Sequence, residues 1–296
     1  MTAADTDGRP LCFVHIPKTG GSTLRWILDR QYQSCMYLIP QWFHDDHTTP
    51  SVAAGQCRGA PAVIGAHRPL DASWPQGLAL AMVRDPLRRV LSHVAHIRAE
   101  PQAWLPDARG ALPSSLADWM DRKPLALFDN NQVRYLSGAV EFDGMPLTRT
   151  MEESDLEKAL QAARSRVLVA PMEAFDEALL DWRHRLRWSP PYYRRVNVRR
   201  RGSSPIPERD TQAVASWNRL DRILCEEVGV IFRQRLAELE QESGRSMQEQ
   251  LATFRESNSG LAARAGILWH TFGRGVRHPV RAGRMVIRSA RQRLGG

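Results

Sequence analysis

The sequence predicts an α/β fold, with a central parallel sheet covered by helices. Three observations carry this. Short apolar runs of buried-strand character, "LCFVHI" (Leu11–Ile16), "PAVIGAH" (Pro61–His67) and "GLALAMVRD" (Gly77–Asp85), recur in the first third of the chain. Segments of helical periodicity separate and follow them. Each run also ends in polar or charged residues, as strands do when their carboxyl ends line a crevice. Strands alternating with helices pair in parallel and need cover on both faces.

The elements follow in order. Thr23 to Tyr32 reads as a helix with Leu24, Ile27 and Leu28 on one face. Pro86 opens a second helix at its first turn, where proline's missing N–H costs nothing, and the pattern runs to Arg98. Further helices are expected around Ser114–Asp121, Asn130–Ser137, Glu152–Ala163, Glu173–Leu186 and Arg209–Leu239, with a strand "RVLVAP" between two of them. There is no internal repeat. After Glu240 the apolar periodicity weakens and "ESGRS" marks a boundary. The expected organisation is a flexible N-terminus over 1–10, one domain over 11–240, and a basic amphipathic helical extension over 241–296.

Charge is distributed unevenly along the 296 residues. The formal net charge is +9, and Lys18, Lys123 and Lys158 are the only lysines. From Ser257 to Gly296 there are eight arginines and no acid, so the tail nearly accounts for the excess. A near-neutral body argues against a protein that coats nucleic acid. The cysteines (Cys12, Cys35, Cys57, Cys225) show no CxxC pair and no metal-ligand spacing, as reduced cytoplasmic thiols would, with a Cys35–Cys57 disulfide as the alternative. "MTAADTDGRP" has no apolar run of a signal peptide, and no stretch of about 18 apolar residues offers a membrane span. A cytoplasmic protein is the expectation.

The turn after the first strand carries the chemistry. Lys18, Thr19, Gly20, Gly21, Ser22 and Thr23 lie between a strand and a helix. Glycines let the backbone approach an anion, and the unbonded amides of a helix start point at it. The loop is P-loop-like, but it is not a Walker A motif, because its lysine precedes the glycines. An alternative reading is a tight turn with no ligand.

"FVHIPKTGGSTL" resembles the 5′-phosphosulfate loop of sulfotransferases, in the branch with the heparan-sulfate 2-O- and 6-O-sulfotransferases and bacterial relatives. "MVRDPLRRVLSHV" (Met82–Val94) resembles that family's 3′-phosphate motif, and "DNNQVRYLSG" (Asp129–Gly138) its Asn-x-Gln-x-Arg-x-Leu-x-Gly segment near the substrate cleft. The resemblance spans about residues 10–240 and is densest before Gly138. It implies a bacterial, P-loop-like three-layer enzyme using 3′-phosphoadenosine 5′-phosphosulfate (PAPS), with Arg84 and Ser92 on the 3′-phosphate and Gln132 and Arg134 at the substrate. It also implies that Asn197 and Arg199, in "RVNVRRR", belong to a loop that closes over the nucleotide.

Sulfuryl transfer to a hydroxyl needs a base and a stabiliser for the departing phosphate. Lys18 suits the second task. His67, ending the second strand, suits the first, although the Gly-His pair of relatives is Ala66-His67 here. No metal is expected. His15 reads as a residue that orients the loop. His44 and His47 read as a polar loop, and Trp42, Trp74, Trp104 and Trp119 as cleft or core aromatics. The branch implies a carbohydrate or glycoconjugate acceptor. The tail arginines at 277, 281, 284, 288 and 291 form a helical stripe suited to an anionic membrane surface or to solvent. Two rivals remain: a nucleotide-dependent kinase, and a non-catalytic nucleotide binder.

Overall fold

The computed structural model describes residues 9–32, 36–38, 62–99, 115–118, 126–139, 149–194 and 206–260. Five parallel strands form one sheet: β1 (Leu11–Val14), β2 (Met36–Leu38), β3 (Val63–Ala66), β4 (Ala79–Val83) and β5 (Val167–Pro171), in the order β2-β3-β1-β4-β5. The helices are α1 (Gly21–Tyr32), α2 (Pro86–Ala99), α3 (Asn131–Ser137), α4 (Glu153–Ser165), α5 (Phe175–Arg185), α6 (Glu208–Trp217), α7 (Arg219–Ser243) and α8 (Met247–Ser259).

Alternate residues of β1 enter different cores, as a period of two dictates. Cys12 and Val14 join Val133, Leu156, Leu220 and Leu224 on one face, under α3, α4 and the first half of α7. Leu11 and Phe13 join Leu24, Leu28, Leu179 and Trp182 on the other, under α1 and α5. This is the expected three-layer α/β arrangement. A third cluster, with Val90, Val94, Phe128 and Val214, ties α2 to α6. Helix α7 serves both faces: Phe232 and Leu239 fall in the second core, and Arg235 reaches the Val169 carbonyl of edge strand β5 at 2.8 Å.

Three details differ from the sequence expectation. Strand β2 was not anticipated, because three edge residues carry too little alternation to read. The helix expected over Arg209–Leu239 is two, broken at Asn218, whose Nδ2 donates to the Val214 carbonyl and competes with the helical ladder. The expected boundary at Glu240 falls inside α7, and α8 belongs to the folded body, with Phe254 buried in the second core. Helix α8 starts cleanly because Ser246 and Glu249 form a reciprocal capping box. The arginine stripe of the tail lies outside the described residues, as do Cys35, Cys57, His44 and His47. Cys12 and Cys225 are free thiols. Among the described residues no helix is long and apolar enough to cross a membrane.

Candidate functional site

The strand order fixes where a ligand fits. From β1 the chain passes through α1 to β2 and β3 on one side, and β4 is then laid on the other side of β1. The loops leaving β1 and β4 therefore diverge, and a crevice opens between their carboxyl ends, the usual ligand position in open parallel sheets.

On the β1 side the loop from His15 to Gly20 is held in an unusual path. Lys18 has φ 71 and Gly20 φ 86, both left-handed, and only the glycine adopts that region without strain. Thr19 Oγ1 donates to the Ile16 carbonyl at 2.9 Å, so this hydroxyl ties the loop to itself. Thr23 is also buried, and Ser22 exposes its hydroxyl. The Thr23 and Leu24 amides return to the Gly20 carbonyl, whereas those of Gly20, Gly21 and Ser22 bond no main-chain carbonyl among the described residues. A row of donors at the start of a 12-residue helix is an anion cradle. Of the loop's three hydroxyl residues only Ser22 is exposed, and the main chain supplies the remaining donors.

Gly21 is required for a second reason. A Cβ there would fall 2.0 Å from the His15 ring, so only glycine lets α1 start against that imidazole. His15 in turn packs against His67, with ring centroids 3.7 Å apart and the planes tilted by 30°. His67 follows β3 and is half-buried, and its Nδ1 has no hydrogen-bond partner among the described residues. Burial, with the charges of Arg25 and Lys18 nearby, lowers its pKa to about 3, against a hydrogen bond to the His15 backbone. His15 is held well below its ordinary value by burial and by the same neighbours. Both rings are therefore neutral near pH 7, and the unpartnered Nδ1 of His67 is buried.

On the β4 side Arg84 bridges the crevice: its Nη1 donates to the Lys18 carbonyl at 3.0 Å. Asp85 Oδ1 accepts from the Arg88 amide at 2.8 Å, so the aspartate of Arg-Asp-Pro caps α2. Ser92 lies on α2, half-buried. The turn after β5 forms a third wall. Met172 packs over Gly20, where a Cβ would meet its side chain at 3.4 Å, and Glu173 Oε1 accepts from the Asp85 amide at 3.3 Å. Sequence reasoning missed Arg25, Met172 and Glu173, since no local pattern ties them to the loop.

Gln132 and Arg134 correct the sequence expectation. Both are fully buried, so neither is placed to touch a substrate. The Gln132 side chain pairs with the Arg84 main chain, accepting from its amide at 2.7 Å and donating to its carbonyl at 2.9 Å. Arg134 binds Asp129 at 2.9 Å and the Arg149 carbonyl at 2.7 Å. Neighbouring Tyr135 donates to the His67 carbonyl at 3.3 Å, and Gly138 (φ 75) lies where a Cβ would meet the Leu70 carbonyl at 2.6 Å. Trp74 is likewise core, its Nε1 donating to Pro69. His93 is buried against Phe128. Asn197 and Arg199 lie outside the described residues.

No family model matches the chain, and no curated protein does. Five solved chains match. One is a sulfotransferase from Alicyclobacillus acidocaldarius, 18% identical, over 83% of this chain and 99% of that one, with a TM-score of 0.36. At that identity and TM-score the likeness carries no functional argument.

Proposed function

We propose that this protein is a sulfotransferase that takes its sulfuryl group from PAPS. The supporting observation is the crevice itself: an amide cradle with Lys18 on one side, and Arg84 spanning from β4 to the cradle at 3.0 Å on the other. A nucleotide with phosphates at both the 5′ and 3′ positions matches two cationic stations on adjacent strands. In this reading the amides of Gly20, Gly21 and Ser22 hold the 5′ end, and Lys18 neutralises charge on the departing phosphate. Arg84 and Ser92 hold the 3′-phosphate, and Asn197 and Arg199 close over the nucleotide. The donor supplies an activated sulfuryl group, and no metal is required.

His67 takes the acceptor's proton as the acceptor oxygen bonds to sulfur and the sulfur–phosphate oxygen bond breaks. A pKa of about 3 suits proton acceptance poorly. Burial is its first cause, Arg25 and Lys18 add to it, and phosphates seated beside Lys18 offset only that last contribution. The acceptor is proposed to be a hydroxyl of a carbohydrate or glycoconjugate, and the basic tail a peripheral contact with an anionic membrane. A non-catalytic nucleotide binder is the second reading, favoured by the depressed basicity of His67.

Thermal-shift titration with adenosine 3′,5′-bisphosphate, ADP, ATP and GTP tests the proposal. The bisphosphate should stabilise most, whereas a preference for ATP or GTP would indicate a kinase. Radiolabelled sulfate transfer from PAPS to a glycan panel then separates enzyme from binder.

A further inference from the structure

Arg84 follows the last residue of β4, outside its ladder, and a side chain fixes its main chain instead. Gln132 presents its carboxamide as a peptide unit would, taking the Arg84 amide and carbonyl together, and the Cys225 thiol donates to the same carbonyl at 3.3 Å. Gln132 is itself fixed from behind. Asp221, on α7, accepts from the amides of Gln132 and Val133 at 3.1 and 2.8 Å, capping α3. Asn130, before α3, accepts from the amides of Leu220 and Asp221 at 2.8 and 3.0 Å, capping α7. The two helices thus cap each other. Arg89 of α2 closes the network, reaching Asn131, the Leu127 carbonyl and, at 4.0 Å, Asp221. Arg89, Asn131, Gln132 and Asp221 are all buried to within one per cent.

Such a network is worth more than packing requires, because apolar residues of the same volume would fill this space without burying charge. We propose that Gln132 is a positioning residue that sets the anion selectivity of the site by holding the Arg84 backbone, so that its guanidinium addresses a second phosphate on the nucleotide. This rests on the nucleotide reading above. It assigns the Asn-x-Gln segment a role in donor choice instead of acceptor contact.

The test is calorimetric, on the full chain, with adenosine 3′,5′-bisphosphate and adenosine 5′-phosphate as probes. Gln132→Met removes both bonds to Arg84, and Gln132→Glu keeps the shape and the acceptor but loses the donor. Each should cut the affinity ratio of the two probes by about tenfold. In an Arg84→Ala background neither should change the ratio further. If both variants weaken the two probes equally, Gln132 serves only stability and the inference is overturned, while the nucleotide reading stands. If the wild-type chain binds neither probe, or shows no preference between them, both fall. Should Gln132→Met not fold, Gln132→Glu alone decides.

Discussion

Two regions around the crevice are built on opposite principles. The loop from His15 to Gly21 is short, partly open and backbone-driven, with a left-handed lysine, unbonded amides and a single internal side-chain bond. The layer between α2, α3 and α7 is closed and side-chain-driven: Asn130, Gln132 and Asp221 bond across about ninety residues of sequence, and Arg89 is buried beside them. The first region can lose a side chain and still fold, because its shape comes from glycines. The second loses stability with each one, because each member leaves another buried and unpaired. Chemistry belongs to the first and precision to the second.

The sharpest way to break the comparison is at Lys18. Lys18→Ala should lower turnover on the order of 10³-fold while the melting temperature barely moves. Lys18→Gly should be equally inactive yet melt higher, since φ 71 is strained for any side chain. If either unfolds the protein, the loop is not backbone-driven. Next comes Asp221→Ala, which leaves Arg89 buried without its counter-charge. Urea unfolding should show a loss of about 3–5 kcal/mol, and a change below 1 kcal/mol would remove the network from the account. His67→Ala should reduce turnover about 10²- to 10⁴-fold with bisphosphate affinity retained.

Acid provides a graded test. His15, His67 and His93 are all held neutral by burial, with folded pKa values below the unfolded value near 6.5. Between about pH 6.5 and 3 the unfolded chain binds more protons than the folded one. The stability these residues permit is therefore present above pH 6.5 and lost as pH falls through that window. Melting at pH 7.5 and pH 5 should differ, and adenosine 3′,5′-bisphosphate should shrink the difference by favouring the charged rings beside Lys18. The smallest effect is expected at the exposed Arg164–Glu227 pair, where Arg164→Ala should cost under about 0.5 kcal/mol.

The contrast also explains what could be read from sequence. The loop was legible because its logic is local: a strand, a lysine, two glycines and a helix in 20 residues. The helix start at Pro86 was legible for the same reason. Gln132 and Arg134 were found but misassigned. Their segment pattern drew attention to them, yet burial decides whether a polar residue meets a ligand or a backbone, and burial depends on α7, which arrives much later in the chain. Met172 stayed invisible because its contact with Gly20 exists only once β5 is laid beside β4.

The central claim is that the crevice between β1 and β4 holds the two phosphates of one nucleotide. Diffraction from crystals soaked in adenosine 3′,5′-bisphosphate addresses it directly. The account predicts the 5′-phosphate within about 3 Å of the Gly20, Gly21 and Ser22 amides and the 3′-phosphate on the Arg84 guanidinium. Nucleotide bound elsewhere, or seated with Arg84 still turned to the Lys18 carbonyl and away from any phosphate, would contradict it.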